Sequence, residues 1–166
     1  MKRTVFISII IILNFIIDRI SKMLVESKMS LGQEIELIGQ NFVLRYVKNT
    51  GAFLGMGSDL NPTLRILLLL VLPVLVLGYV TFYIYKNKTI DKWSLIAFCS
   101  IIGGGIANVY DRFVYGEVTD FFFINLGGVF KTGIFNVADM SVTAGLIILL
   151  FSNFIKKKPQ RETVSE

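Results

Sequence analysis

Two aspartates of this 166-residue chain lie in apolar surroundings and have no basic residue close by in the sequence. Asp120 stands within the run VTDFFF, and Asp139 stands near the start of the last apolar segment. Two carboxylates brought together in a poorly hydrated place cannot both ionise, so one of them keeps a proton. Such a pair can activate water for hydrolysis, with one carboxylate as base and the other as acid. The same pair can also relay protons in a transporter.

Other polar residues accompany the aspartates at helical spacing. Asn136 precedes Asp139 by three positions, so both side chains lie on one face of a helix. Asp18 and Lys22 are four residues apart in the first apolar segment, which predicts an ion pair. Ionisable groups in membrane segments are costly and usually functional. Because these groups fall at the same predicted depth, we expect them to converge at one membrane boundary. The alternative is that the opposite charges only tie the helices together. A further group projects to one side of another segment and consists of Asn108, Asp111 and Arg112.

The residue counts exclude several kinds of chemistry. The chain has no histidine and a single cysteine, Cys99. These counts exclude a disulfide framework, a zinc site of cysteine and histidine ligands, and any mechanism with histidine as the base. We therefore expect no metal and no other cofactor, so proton transfer falls to carboxylates, lysine, tyrosine, serine or threonine.

Hydropathy predicts the helices that must position these side chains. Residues of the set AVILMFWYC make up 54% of the chain, charged residues make up 17%, and the mean hydropathy is +0.67. Four apolar segments approach the roughly 20 residues that cross a bilayer, at about residues 4–25, 66–85, 93–110 and 135–155. The sequence therefore predicts an all-α membrane protein, with residues 1–166 forming a single integral membrane domain of four transmembrane helices.

The segments 26–62 and 113–134 are too apolar to be simple water-soluble loops. Alternating apolar and polar residues predict three short strands, at 34–38, 42–47 and 118–123. We expect these strands to form a small extracytoplasmic β-sheet element on the outer membrane surface. That sheet would provide one wall of a site beside the helix ends.

The charge distribution predicts how the chain is oriented in the membrane. With four spans, both termini and the segment 86–92 lie on one side, which carries nine basic and three acidic residues. The rest of the chain has eight basic and nine acidic residues. The positive-inside rule therefore predicts cytoplasmic termini and a site near the extracytoplasmic face. The basic side is expected to contact membrane lipid, whereas nothing in the sequence favours nucleic acid as a partner.

Three functions fit the residues taken alone: a hydrolase, a small proton-coupled transporter or channel subunit, and a non-catalytic membrane scaffold. Against the transporter, the four segments show no internal repeat of the kind many transporters carry. The acidic residues also cluster at one boundary instead of crossing the bilayer. In a scaffold, the two aspartates would be dispensable.

Five short motifs carry a resemblance to a known family. In chain order they are DRISK (18–22), NTGAF (49–53), GGGIANVYDR (103–112), VTDF (118–121) and FNVAD (135–139). With these motifs in this order, and with four predicted spans, the chain resembles signal peptidase II, the bacterial lipoprotein signal peptidase, along nearly its whole length.

The resemblance implies an aspartyl endopeptidase of the bacterial cytoplasmic (inner) membrane. That family removes the signal peptide of lipid-modified prolipoproteins by cutting just before the cysteine that carries a diacylglyceryl group. The family's catalytic pair matches Asp120 and Asp139 here, and its known inhibitors are globomycin-type antibiotics. The positions that match residues around this pair, the substrate or the cleft are Asn108, Asp111, Arg112, Asn136, Ala138, Asp18, Lys22, Asn49, Gly51, Ala52 and Phe53.

Three residues depart from the family pattern. Ala107 stands where the family usually has glycine, Thr119 where an aliphatic residue is common, and Met140 where a smaller residue is more usual. None of these departures removes a functional group. Met140 is expected to narrow the pocket or to alter the fit of an inhibitor.

Overall fold

The computed structural model describes residues 2–52, 55–127 and 130–155. In this part of the chain, four long helices accompany a three-stranded antiparallel sheet. Phe53, which the resemblance assigns to the cleft, lies outside the described residues.

The helices follow the predicted apolar segments and mostly extend beyond them. Helix α1 covers Arg3–Lys28, α2 covers Pro62–Lys86, α3 covers Lys92–Tyr115 and α4 covers Val137–Ile155. Helix α2 contains a π-helical turn over Leu67–Val71. This wider turn comes just before Pro73, a residue that has no backbone N–H to donate to the helix.

The ends of α3 follow from local sequence. Asp91 precedes the helix, and its Oδ1 accepts a hydrogen bond from Ser94 N at 3.1 Å, as an N-cap does. The helix continues to Tyr115 and ends at Gly116, which adopts a left-handed conformation with φ 77°. Helix α3 therefore extends three residues into the predicted outer segment 113–134.

Three helices have the length and composition of membrane spans. Among the described residues, α1, α2 and α3 are long and apolar enough to cross a bilayer. In the most apolar 18 residues of α2, no residue is buried inside the protein, which is typical of a helix surface that faces lipid. The apolar helix Val137–Ser152 within α4 is shorter, so the fourth span stays a prediction.

The predicted strands are confirmed as one sheet. Strand β1 covers Glu34–Ile38, β2 covers Phe42–Asn49 and β3 covers Val118–Ile124, in the order β1-β2-β3 with antiparallel pairing throughout. The pairing of β2 with β3 is irregular between Leu44 and Val47 and resumes at the pair of Val47 with Asp120. The sheet therefore brings the end of β2 beside the start of β3.

Consecutive glycines let α3 pack closely against the other three helices. A Cβ at Gly103 would come within 2.8 Å of a backbone oxygen of α1, and a Cβ at Gly105 within 2.7 Å of Leu77 in α2. Gly104 faces α4, where a Cβ would collide with the carbonyl oxygen of Ala138. Small residues permit such close backbone contact in membrane helices. Helix α3 is therefore central, and the beginning of α4 is held directly against it.

Candidate active site

Asp120 lies in β3 and is almost completely enclosed, with 3% of its surface exposed. Asn136 Nδ2 donates a hydrogen bond to its Oδ1 at 2.6 Å, and Asn49 Nδ2 donates to its Oδ2 at 2.9 Å. Burial raises the pKa of Asp120 to about 6, and the neighbouring charge of Asp139 acts in the same direction. The two amide hydrogen bonds and the charge of Lys22 oppose that rise. A fraction of the molecules therefore carries a protonated Asp120 near neutral pH.

Asp139 is held by the start of α4. Asn136 immediately precedes the helix, and its Oδ1 accepts a hydrogen bond from Asp139 N at 2.9 Å. In return, Asp139 Oδ2 accepts a hydrogen bond from Asn136 N at 3.1 Å. This reciprocal arrangement is a capping box, and it fixes the carboxylate at the positive end of the helix dipole.

Two asparagines connect the carboxylates. Asn136 Nδ2, which binds Asp120, also lies 3.1 Å from Asn108 Oδ1. Asn108 Nδ2 in turn donates to Asp139 Oδ1 at 2.9 Å. The side chains of Asp120 and Asp139 are therefore joined by a continuous chain of amide hydrogen bonds between β3, α3 and α4.

Asp120 and Asp139 also line the same cavity, whose volume is about 10 Å³. That volume is close to the space that a single water molecule requires. Among the described residues, no group of three or more histidine, cysteine, aspartate or glutamate side chains could hold a metal ion. The side chains and backbone around the cavity come from Asn49, Ala52, Asn108, Arg112, Val118, Asp120, Ile134 and Asp139.

Two larger spaces share lining residues with this cavity. One, of about 340 Å³, includes Asp120 and the polar residues Lys48, Asn49 and Ser58. The other, of about 380 Å³, includes Asp139 and is otherwise lined by Thr132, Phe135, Met140, Thr143, Ala144 and Ile147. The first space is partly polar and the second almost wholly apolar. A molecule reaching both carboxylates can therefore have one polar and one apolar side.

Arg112 and Asp111, neighbours in α3, have different partners. Arg112 lines the cavity, and its Nη2 donates to the carbonyl oxygen of Gly51 at 2.7 Å. Asp111 does not line the cavity and instead forms ion pairs with Lys22 and Arg19 of α1. The ion pairs of Asp111 therefore join α3 to α1.

The predicted ion pair of Asp18 with Lys22 is confirmed, and both side chains are 0% exposed. Lys22 Nζ lies 2.7 Å from Asp18 Oδ2, and it donates to Asn108 Oδ1 at 2.8 Å and to Asp111 Oδ2 at 2.6 Å. Asp18 Oδ1 accepts a hydrogen bond from Ala138 N at 2.9 Å. The pair contacts residues next to the carboxylates without lining the cavity itself.

The segment after β2 forms a compact turn beside Asp120. Asn49 Oδ1 accepts a hydrogen bond from Gly51 N at 2.9 Å, and Asn49 Nδ2 donates to the Ala52 carbonyl at 3.0 Å. A Cβ at Gly51 would lie 2.6 Å from the backbone of Gly55, so only glycine fits there. The resemblance and the structure therefore place Asn49 and Ala52 at the same site, and Gly51 beside it through Arg112.

Sequence reasoning missed some contributors. Arg19 pairs with Asp111 and lies over the ring of Tyr110 at 5.3 Å. Its signal was its position, since a cation in the middle of an apolar helix requires a partner. Val118 and Ile134 line the cavity as well, but their apolar side chains gave no signal of that role.

Fold and site together define a helical membrane protein with a paired-carboxylate centre. Residues 10–155 match the model of the family described as signal peptidase (SPase) II, so the chain belongs to that family. This match confirms the family membership that the five motifs indicate. The protein is therefore a peptidase and a bacterial membrane protein.

Individual relatives agree with this assignment. Proteins named lipoprotein signal peptidase are 34% identical in Clostridium tetani, over 86% of this chain and 88% of that protein, and 33% identical in Borrelia duttonii, over 93% and 91%. One in Pseudomonas aeruginosa is 30% identical, over 90% and 88%. Two solved structures described as bacterial membrane enzymes share the fold, at TM-scores of 0.80 and 0.78. The first is 23% identical in sequence, and the match covers 97% of this chain and 94% of the solved chain. The second is 24% identical, and the match covers 92% of this chain and 94% of the solved chain.

Proposed function

We propose that this protein is an aspartyl endopeptidase that removes the signal peptide from diacylglyceryl-modified prolipoproteins, cutting before the lipidated cysteine. The observation that carries the proposal is that Asp120 and Asp139 line one cavity with room for about one water molecule. Hydrolysis by a carboxylate pair requires that geometry, with water held between a base and an acid. Membership of the signal peptidase II family supports the choice of substrate.

The surroundings of the two carboxylates suggest how they divide the work. Asp139 is the base, because the helix N-terminus and its capping box stabilise a negative charge. Asp120 is the acid, because its raised pKa favours the protonated form. Asp139 takes a proton from water, the water oxygen attacks the scissile carbonyl carbon, and Asp120 gives its proton to the carbonyl oxygen. When the tetrahedral intermediate collapses, Asp139 passes its proton to the leaving nitrogen and Asp120 recovers one from the intermediate.

Neighbouring residues hold this pair in position in the proposed mechanism. Asn108 and Asn136 orient the carboxylates through their amide groups. Arg112 holds the turn at Gly51 against the cavity. The buried pair of Asp18 and Lys22 supports the arrangement from α1, together with the remaining supporting positions Asp111, Ala138, Asn49 and Ala52.

The adjoining spaces fit an amphipathic substrate. The partly polar space beside Asp120 suits the peptide on one side of the scissile bond, and the apolar groove beside Asp139 suits an acyl chain or apolar side chains. Met140 lies in that groove and is expected to set its width. A globomycin-type inhibitor would occupy the same cleft, and membrane lipid would surround the outward faces of the helices. We infer no nucleic-acid partner.

The proposed topology has four spans in the bacterial cytoplasmic membrane, with both termini cytoplasmic. The carboxylate pair then lies near the extracytoplasmic face, at the end of the bundle that carries the sheet. A lipid-anchored cysteine keeps its acyl chains in the hydrocarbon while the adjacent peptide bond meets water, which suits a site at that boundary.

A cleavage assay with purified protein in detergent or lipid tests the proposal. The substrates are a diacylglyceryl-modified prolipoprotein and the same precursor without lipid. Asp120→Asn and Asp139→Asn remove one member of the pair each, and each is expected to lower the cleavage rate by about 10²–10⁴-fold. Asp59→Asn changes an exposed carboxylate that lines neither the cavity nor the two adjoining spaces, and serves as the matched control.

The outcomes separate the competing functions. Cleavage of the lipidated precursor by the unmutated chain and by Asp59→Asn, with loss in both pair variants, supports the peptidase. Full activity in a folded Asp120→Asn or Asp139→Asn variant would refute the catalytic pair. If the unmutated chain cleaves nothing but passes protons across vesicles, the transporter is favoured.

A further inference from the structure

One face of α1 contacts every element that carries a residue of the carboxylate site. Asp18, Lys22 and Glu26 are spaced four residues apart, so they form a single polar stripe. Asp18 reaches the start of α4 at Ala138, and Lys22 reaches α3 at Asn108. The third member, Glu26, contacts the sheet and has no role in the proposed mechanism.

Glu26 forms a closed cluster with two residues of the sheet. Lys48 Nζ of β2 donates to Glu26 Oε1 at 2.8 Å and to Thr119 Oγ1 at 2.9 Å. Thr119 Oγ1 of β3 donates to the same Glu26 oxygen at 2.5 Å. Thr119 is 2% exposed, while the side chains of Glu26 and Lys48 are 31% and 24% exposed. The cluster is therefore shielded on the strand side, where its hydrogen bonds gain strength from low hydration.

The cluster lies at the point in the sheet that carries the site. Lys48 and Thr119 are direct partners in the register of β2 and β3, and the next pair joins Val47 to Asp120. Because side chains alternate along a strand, the side chains of Lys48 and Thr119 leave the sheet on one face and those of Asn49 and Asp120 on the other, although Lys48 also borders the space beside Asp120. A slip of one residue would turn Asp120 away from the cavity.

Nearby pairing does not by itself fix this register. The ladder between β2 and β3 is irregular between Leu44 and Val47, only one pair before Lys48 and Thr119. Backbone hydrogen bonds are therefore interrupted where the site begins. The contacts of Glu26 with both strands supply a restraint at that place, anchored in the last turn of a long helix.

We propose that Glu26, acting through Lys48 and Thr119, is a positioning residue that holds Asp120 directed into the cavity. The inference rests on the proposed function for its effect on catalysis. None of the three residues touches the scissile bond in this scheme. Their effect is to keep strands β2 and β3 in the register in which Asn49 and Asp120 meet.

Substitutions at Thr119 test the cluster with little change of shape. Thr119→Val removes the hydroxyl and keeps the β-branched form, whereas Thr119→Ser keeps the hydroxyl. Glu26→Gln removes the charge that binds Lys48. The matched control is Glu34→Gln, which removes the charge of the ion pair with Arg45 (2.7 Å) on the outer strand of the same sheet.

The expected result is a loss in kcat that the hydroxyl rescues. Thr119→Val lowers kcat by about tenfold with KM within about twofold, because misplaced catalytic groups slow the chemical step more than binding. Glu26→Gln lowers kcat in the same sense, and Thr119→Ser and Glu34→Gln keep at least about half of it. Wild-type kcat in Thr119→Val, a loss confined to KM, or an equal loss in Glu34→Gln would overturn the proposal.

Hydrogen exchange separates this inference from the proposed function, because it needs no substrate. Amides of residues 118–124 are expected to exchange about tenfold faster in Thr119→Val than in Thr119→Ser, since a released strand opens more often. Unchanged exchange in Thr119→Val would refute the restraint even if the protein is an aspartyl endopeptidase. If the unmutated chain cleaves no precursor while exchange responds as expected, the proposed function fails and the restraint stands.

Discussion

At the scale of single residues, two aspartates of one type acquire different environments. Asp139 lies in the first turn of a helix and accepts a hydrogen bond from the backbone N–H of Asn136, whereas Asp120 lies in a strand and accepts hydrogen bonds from the side-chain amides of Asn136 and Asn49. Both carboxylates are at least partly buried, but the helix N-terminus and the backbone N–H of Asn136 favour a negative charge at Asp139, whereas burial favours the neutral form of Asp120. Pairs of carboxylates separated in this way can serve as base and acid at one pH.

The raised pKa of Asp120 predicts a pH dependence of stability. Its pKa is about 6 in the folded protein against an ordinary value of 3.8, so the folded state binds more protons between these values. The stabilisation of the folded state by protonated Asp120 is complete below about pH 4. It is lost as pH rises through about 6, which lowers the free energy of unfolding by about 2–3 kcal/mol.

Asp120→Asn is expected to remove this part of the pH dependence. Unfolding in detergent, followed from pH 4 to pH 7.5 for both proteins, measures the difference between the two curves. The unmutated protein should lose stability relative to the variant as pH rises. Parallel curves would show that Asp120 titrates at its ordinary pKa in the folded protein.

At the scale of elements, the site depends on how closely α3 and α4 approach. Gly104 faces the first turn of α4, which carries Ala138 and Asp139. Asn108 lies one turn further along α3 and binds Asp139. The distance between the two helices therefore decides whether the amide chain between the carboxylates can form.

Gly104→Ala is expected to separate these helices. The added Cβ would collide with the Ala138 carbonyl and lie 3.1 Å from atoms of Ser141 and Val142. We expect a loss of about 1–3 kcal/mol in stability and a slower cleavage rate, because overpacking displaces the start of α4. The melting temperature in detergent and the cleavage assay measure the two effects.

Gly78→Ala in α2 is the matched control for that prediction. Apart from its chain neighbours and the nearby backbone of its own helix, no atom lies within 4 Å of a Cβ built at Gly78, so the substitution meets open space. Stability and cleavage should stay at their original level or stability should rise slightly, because alanine favours helix over glycine. Equal effects of the two substitutions would contradict the close-packing explanation.

At the scale of the whole molecule, the sheet and the loop between α2 and α3 lie at opposite ends of the predicted spans. Charge counts predict that the loop lies in the cytoplasm and the sheet outside it. Gln40, in the turn between β1 and β2, and Lys88, in the loop, are both exposed. These two positions report on the two sides of the membrane.

Cysteine labelling tests this orientation. In spheroplasts, a membrane-impermeant maleimide should label Gln40→Cys, and it should label Lys88→Cys only after the membrane is opened. The unmutated chain is the control, since Cys99 is buried. Labelling of Lys88→Cys from outside, with protection of Gln40→Cys, would reverse the topology.

Much of the fold could be predicted from sequence because it depends on neighbours in the chain. Long apolar segments predicted α1, α2 and α3, and alternating residues predicted all three strands. The spacing of Asp18 and Lys22 predicted their ion pair. Family motifs named Asp120 and Asp139 as a pair, because the order of short motifs is retained in the sequence.

Only the tertiary structure decided how distant residues meet. Asn49 binds Asp120 across 71 positions of sequence, and Asp111 pairs with α1 instead of its own neighbour. The cluster of Glu26, Lys48 and Thr119 has no local pattern that could reveal it. Sequence periodicity fixes which face of an element is apolar, but the partners of a buried polar group depend on how the elements pack together.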